Sequence, residues 1–209
     1  MSPAADDDAR STAREVLERL GRTYADEAGI TLRDKPAPLF QLLMLSMLFS
    51  APISTEAAVA SLREIREAGW RTPERLLDST WQQRVDALGR GGYRRYDEST
   101  ANYLTDAATL LQERYRGDLR RLRDEAGGDP AAVKKLLQEF PRIGPTGADI
   151  FCREVQQVWP GLRPQIDAKV RAGARKAGLP TNADDLAALV AGDDLARFTA
   201  ALVRLDHED

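Results

Sequence analysis

The sequence of 209 residues is poor in the two side chains on which much metal and enzyme chemistry depends, because it contains one cysteine and one histidine. Cys152 has no second thiol in the chain, which excludes an intramolecular disulfide framework, a four-cysteine zinc site and a four-cysteine iron–sulfur cluster. His207 as the single imidazole argues against Ser-His-Asp, Cys-His and multi-histidine metal chemistry. Any catalysis must therefore use carboxylates, hydroxyls or lysines.

Long apolar runs are also missing. The longest, residues 39–49, is interrupted by Gln41 and Ser46 and is too short to cross a bilayer. Residues 1–14 are acidic and have no apolar centre, unlike a secretory signal. The sequence therefore predicts a soluble cytoplasmic protein with no membrane partner.

The net charge of -3 conceals an uneven distribution of charge along the chain. Residues 130–177 contain nine basic and four acidic side chains, a balance of +5, whereas residues 182–209 contain two basic and seven acidic ones, a balance of -5. A basic block can contact phosphates, although both blocks are also compatible with ordinary solvated helix faces. On charge alone the second interpretation is favoured.

The hydrophobic periodicity predicts an all-α fold. Apolar residues recur at helical spacing in residues 13–24 and in most later segments, and no segment alternates as a strand does. Residues 39–49 are apolar nearly all round, which predicts a central buried helix. Asp129-Pro130 is typical of a helix start, with a capping side chain followed by proline. No repeat or low-complexity linker divides the chain.

Residues 141–144 are predicted to form a tight turn between two helices. Such a turn leaves the backbone N–H groups of Gly144, Thr146 and Gly147 facing outward at a helix N-terminus, where they can bind an anion such as a DNA phosphate. A helical hairpin that serves only packing is the alternative interpretation.

The sequence Phe-Pro-Arg-Ile-Gly of residues 140–144 resembles the helix–hairpin–helix turn of the DNA glycosylase superfamily. That superfamily includes endonuclease III, the adenine glycosylases acting on mispairs and the alkylbase glycosylases. It usually has glycine where this chain has Arg142. Residues 45–51 and 91–93 resemble two further family segments, and Asp167 matches the aspartate that opens the helix after the hairpin, all in the family's order.

The resemblance implies an all-α, two-lobed glycosylase-like fold with the active-site cleft between the lobes. Residues 39–125 would form a central helical lobe. Residues 1–38 together with 126–209 would form the second lobe, which carries the helix–hairpin–helix at residues 131–158.

The resemblance also implies a catalytic role for Asp167. The aspartate would stabilise the positive charge that develops on the sugar as an N-glycosidic bond breaks, and would orient the attacking water. Asp167 could equally serve as a helix N-cap, and the two roles are compatible. Bifunctional family members carry a lysine where this chain has Thr146, so the resemblance implies a monofunctional enzyme without lysine-dependent lyase activity. The periodicity makes Asp149 the expected ion-pair partner of Arg153.

The predicted DNA contacts lie on three segments. They are Arg142, Gly144, Thr146 and Gly147 on the hairpin, Lys169 and Arg171 after Asp167, and Arg94 and Arg95 in a glycine-rich loop. Tyr93, Pro52 and Ile53 are the candidates for the base pocket or for a wedge in the duplex, with a packing role as the alternative for Tyr93. Pro52 replaces a family glutamine, and Gly92 stands where a wedge side chain is often found.

The expected partner is double-stranded DNA containing damaged bases, with a lean towards alkylated ones, bound by a nucleoid-associated monomer. No metal or iron–sulfur cluster is expected, although the hairpin carbonyls can hold a monovalent cation. Two other functions stay open. Arg142, Pro52 and Gly92 favour a catalytically silent relative that binds distorted DNA, and the overall charge favours an all-α scaffold without a DNA role.

Overall fold

The computed structural model describes residues 3–208, and every regular element in that range is helical, which confirms the predicted all-α class. In chain order the α-helices are α1 (Pro3–Leu20), α2 (Tyr24–Glu27), α3 (Pro36–Leu48), α4 (Thr55–Glu67), α5 (Pro73–Leu77), α6 (Trp81–Arg90), α7 (Asp97–Tyr115), α8 (Leu119–Glu125), α9 (Pro130–Leu137), α10 (Pro145–Val155), α11 (Ala168–Lys176), α12 (Ala183–Ala187) and α13 (Leu195–His207). Residues 1, 2 and 209 of the predicted domain lie outside the described residues. None of the helices within 3–208 has the length and apolar character needed to span a membrane.

The chain divides into two compact units, and the larger one comprises residues 25–151. Its buried centre is α3, in which all ten residues from 39 to 48 are buried, as the continuous apolar pattern predicts. The helix contacts α4 and α8. Burial on all sides explains why its sequence lacks a polar face.

Capping side chains determine where several helices of this unit begin. Asp129 accepts a hydrogen bond from the N–H of Ala132 at 2.7 Å, and Pro130 occupies the first turn of α9, as predicted. Thr80 and Gln83 form a reciprocal capping box at the start of α6. Because α9 starts at residue 130 and ends at Leu137, the hairpin turn follows immediately.

Of the described residues, 3–24 and 152–208 form the smaller unit. Its long C-terminal helix α13 packs against α1 and α11. At Gly173 of α11 a Cβ atom would lie 1.9 Å from the carbonyl oxygen of Leu202, so this close helix approach requires glycine. The packing fixes α11, whose first turn follows Asp167.

The division into units differs from the one drawn from the sequence. Residues 25–38 and 126–151 group with the central helices in the larger unit, whereas the family resemblance implies that they belong to the second lobe. The physical reason is packing, since α9 contacts α8, and Arg63 and Arg66 of α4 donate to the carbonyl oxygens of Glu27 and Ala28, each at 2.9 Å. The hairpin turn therefore belongs to the larger unit.

Candidate functional site

Two apolar side chains anchor the hairpin turn. Phe140 and Ile143 are 2% and 3% exposed, and the N–H of Ile143 donates to the carbonyl oxygen of Phe140 at 3.1 Å. The ring of Phe140 stacks on that of Tyr115 with the centroids 6.3 Å apart. Burial of both side chains leaves the polar groups of the turn on the outside.

Arg142 is held in a conformation that glycine adopts more readily. Its φ of 64° lies in the left-handed region, where glycine has no Cβ to clash with the backbone. The side chain is exposed, and its guanidinium lies 5.4 Å from the centre of the Tyr103 ring. It forms no ion pair with the described residues. The turn therefore carries an uncompensated positive charge.

The backbone N–H groups of Gly144, Thr146 and Gly147 make no hydrogen bond within the described part of the chain. All three lie at the N-terminal end of α10, where the helix dipole adds partial positive charge. They line an open pocket of about 500 Å³. The other lining residues are Phe49, Ser50, Gln138, Phe140, Arg142, Ile143 and Pro145.

The pocket thus brings together all four predicted hairpin residues, and adds Phe49 and Ser50 from the end of α3, which were not among the predicted site residues. A Cβ atom on Gly147 would lie 2.9 Å from Oγ of Ser50, so glycine permits the close approach of the two segments. In the sequence, only the resemblance of residues 45–51 to a glycosylase segment indicated that the end of α3 could contribute to the site. It did not indicate which side chains would face the hairpin.

Acidic residues beside the turn are neutralised by partners of their own. Asp149 pairs with Lys134 at 2.7 Å, and Glu139 pairs with Arg114. The expected pairing of Asp149 with Arg153 is therefore wrong, because a lysine on the preceding helix competes for the carboxylate. These pairs leave the positive character of the pocket intact.

Tyr93 holds the glycine-rich loop in place. The side chain is 1% exposed, and its hydroxyl donates to the carbonyl oxygen of Leu48 at 2.9 Å. Burial raises the pKa of the hydroxyl to about 12. The predicted place of Tyr93 in the base pocket or as a wedge needs correction, since a ring covered by protein has no face for a base. Its packing role is the one observed.

The cations near Tyr93 differ in availability. Arg94 and Arg95 are exposed and form no ion pair with the described residues, so they are free to contact phosphates. The guanidinium of Arg95 lies 5.6 Å from the centre of the Tyr96 ring. Arg90, by contrast, pairs with Glu64 at 2.6 Å.

The two wedge candidates follow the pocket residue Ser50 in the chain. Pro52 is exposed and Ile53 is half-buried, and the N–H of Ile53 donates to the carbonyl oxygen of Ala51 at 2.8 Å. This tight bend presents an apolar surface to solvent. A wedge role for these residues remains a prediction.

Asp167 is the N-cap of α11. Its Oδ1 accepts the N–H groups of Lys169 and Val170 at 2.9 and 3.0 Å. Its Oδ2 accepts a hydrogen bond from the guanidinium of Arg153. The side chains of the two partners are 7% and 5% exposed, so this is a buried ion pair. The cap was predictable from the sequence, whereas the pairing with Arg153 was missed.

The two predicted DNA contacts after Asp167, Lys169 and Arg171, each interact with another residue of the protein. Lys169 is exposed, with its ammonium group 3.7 Å from a carboxylate oxygen of Asp206. Arg171 is half-buried and donates to the carbonyl oxygen of Thr181 at 3.4 Å. The exposed ammonium group of Lys169 is therefore the more accessible of the two.

No group of three or more His, Cys, Asp or Glu side chains in the described range is arranged to hold a metal ion. The carbonyl oxygens of Phe140 and Gly144 already accept the N–H groups of Ile143 and Ala148. A carbonyl oxygen has two lone pairs, so each could still contact a cation. The monovalent cation remains a prediction.

A pair of substitutions at Arg142 separates backbone strain from charge. Glycine and alanine both remove the guanidinium, but only glycine relieves the positive φ, so we expect the glycine variant to be the more stable by about 0.5–1 kcal/mol. Both should lower the slope of log affinity for DNA against log salt concentration by about 0.9. Urea denaturation and salt-dependent titrations measure the two effects. An unchanged slope would remove Arg142 from the DNA interface.

The chain has a structural neighbour among solved proteins. It is similar to a solved structure described as a trapped endonuclease III–DNA covalent intermediate in an estranged-adenine complex, with 15% sequence identity and a TM-score of 0.56. The match covers 95% of this chain and 84% of that chain. No protein-family model and no curated protein matches. The chain therefore has the helical fold seen in endonuclease III.

Proposed function

We propose that this protein is a DNA repair glycosylase that binds duplex DNA and hydrolyses the N-glycosidic bond of a damaged base. The hairpin pocket carries the proposal: three N–H groups without partners and the unpaired Arg142 surround one open pocket. This is the chemistry that recognises a phosphate. The fold shared with a DNA-bound endonuclease III supports the same assignment.

Binding at the hairpin would position one DNA strand without reading its sequence. Phosphate contacts fix register and orientation on a duplex. The target base must then leave the stack, which costs a few kcal/mol and less when the base is damaged or mispaired. We propose that the exposed Arg94 and Arg95 contribute further phosphate contacts and that Pro52 or Ile53 fills the space left by the base.

Asp167 is proposed to perform the chemical step. Cleavage of an N-glycosidic bond develops positive charge on the sugar, and a fixed carboxylate in a site of low dielectric stabilises that charge. The two cap contacts from the backbone N–H groups of Lys169 and Val170 hold the carboxylate at the start of α11. The same group can accept a proton from, or orient, the attacking water.

The reaction is proposed to stop at the abasic site. Thr146 stands where a lyase would carry its nucleophilic lysine, and a hydroxyl at this position cannot form a Schiff base with the sugar. Lys134, in the last turn of α9, is engaged by Asp149 at 2.7 Å. Alkylated bases are the proposed substrate class, and a monomer in the nucleoid is the proposed working form.

A base-release assay tests this proposal. End-labelled duplexes carrying a panel of lesions are incubated with the protein and analysed with and without hot alkali. We expect strand breaks only after alkali, and no protein–DNA adduct after borohydride reduction, because no Schiff base forms. Breaks without alkali would contradict the assignment of Thr146.

The buried pair of Asp167 and Arg153 specifically favours a second function. A carboxylate neutralised by a guanidinium is a weaker electrostatic catalyst, as expected for a silent relative that binds distorted DNA. Salt-sensitive binding to the lesion duplexes with no base release from any of them would establish this alternative. If the protein neither binds the lesion duplexes nor releases a base from them, a scaffold role without DNA is favoured.

A further inference from the structure

Arg153 is one of the few arginines whose side chain is almost fully buried, and the proposed reaction does not yet use it. It lies in the last turn of α10 and is 5% exposed at the side chain. One terminal nitrogen of its guanidinium donates to Oδ2 of Asp167. We propose that Arg153 is a positioning residue for the Asp167 carboxylate, an inference that rests on the proposed glycosylase function.

The hydrogen bonds around Asp167 determine which oxygen is available. An ionised carboxylate can accept about four hydrogen bonds. Oδ1 accepts two backbone N–H groups, from Lys169 and Val170, and Oδ2 accepts the guanidinium of Arg153. The three donors fix the carboxylate plane and leave one lone pair on Oδ2. That lone pair is the acceptor for the attacking water.

The contacts of Arg153 argue against a purely structural role. Its Nε is buried and makes no hydrogen bond within the described residues. Buried donors are normally paired, and an exception calls for an explanation. Arg84 also has a buried Nε without a partner among the described residues, so the difference between the two arginines lies in the acceptor. The guanidinium of Arg153 donates to the carboxylate of Asp167, whereas that of Arg84 donates to backbone carbonyl oxygens.

The shape of the guanidinium distinguishes a positioning role for Arg153 from simple neutralisation of the Asp167 charge. A guanidinium is planar and directional, so it specifies where Oδ2 lies as well as supplying a charge. Lysine at this position would keep the charge but lose the planar donor. Methionine would keep much of the volume and lose both.

The experiment compares R153M, R153K and R84M in single-turnover base release and in DNA binding. Arg84 is the matched control, because it is also a buried arginine but donates to the carbonyl oxygens of Leu76 and Ser79. We expect R153M to lower the rate constant by at least about thirtyfold with Kd within about threefold of the wild type. R153K should retain between about a third and a tenth of the wild-type rate. R84M should lose thermal stability but stay within about threefold of the wild-type rate.

A double variant supplies a readout that a structural role would not change. If Arg153 acts through Asp167, R153M should have little further effect on the rate in the D167N background, and independent effects would multiply instead. Multiplied effects, a rate loss in R153M equal to that in R84M, or a Kd that rises in parallel with the lost rate would each overturn the inference.

Two outcomes separate this inference from the proposed function. Should R153M fail to fold, R153K decides the matter, and a wild-type rate in R153K overturns the positioning role. If the wild-type protein releases no base from any lesion, the proposed function fails and the inference fails with it. An active wild type with an equally active R153M overturns the inference alone.

Discussion

Replacement of Asp167 by asparagine should lower the rate of base release by about a hundred- to a thousandfold, with DNA affinity within about threefold of the wild type. Asparagine is as good an N-cap as aspartate, so α11 should still begin at the same residue. The substitution removes the negative charge that would stabilise the developing charge on the sugar. Single-turnover rate constants and equilibrium titrations on the same lesion duplex measure the two effects.

The chain offers a closely matched control in Asp118. This residue also caps a helix, accepting the N–H of Arg120 at 3.0 Å, and also pairs with an arginine, at 2.7 Å from the Arg120 guanidinium. D118N therefore makes the same chemical change at a residue that has no part in the proposed reaction. We expect its rate of base release to match the wild type. Equal rates in D167N and the wild type would contradict the catalytic role of Asp167.

D167N should also unfold at a lower temperature than the wild type, so base release must be measured below its unfolding transition. The variant leaves Arg153 buried without its anionic partner, and removal of one member of a buried ion pair costs about 3–5 kcal/mol. Thermal unfolding of D167N shows whether the protein is folded during the assay. A rate loss measured well below that transition reports on chemistry.

Features determined by neighbouring residues could be predicted from the sequence. The apolar stretch of residues 39–49 identifies the buried helix α3 because no face of it is polar. Asp129-Pro130 identifies the start of α9 because capping involves only the first turn. The tight turn before α10 likewise follows from local proline and glycine, and it places the free N–H groups in the pocket.

Features that depend on distant contacts could not be predicted. Asp149 and Arg153 are correctly spaced to pair along a helix, yet each has a different partner, since Lys134 lies beside one and Asp167 beside the other. Helix spacing contributes only about 0.2–0.5 kcal/mol, so a tertiary contact readily overrides it. Tyr93 is a similar case, because its bond to the carbonyl of Leu48 joins residues 45 positions apart.

Truncation of Phe140 to alanine should reduce the free energy of unfolding by about 3–5 kcal/mol, because the side chain is 2% exposed and its removal leaves a cavity. The ring also stacks on Tyr115, at a centroid distance of 6.3 Å. Since Phe140 immediately precedes the turn, its loss should release the hairpin and weaken DNA binding more than R142A does. Urea denaturation and titration of a lesion duplex measure both effects.

Leucine at residue 140 is the matched control for this truncation. It refills most of the space, so F140L should cost less than about 1.5 kcal/mol and should bind DNA within about threefold of the wild type. The hairpin offers its N–H groups only while the turn keeps its shape, because those donors belong to the backbone of residues 144–147. Wild-type affinity in a folded F140A would therefore mean that DNA is held elsewhere, and the proposed interface would have to move to the exposed arginines Arg94 and Arg95.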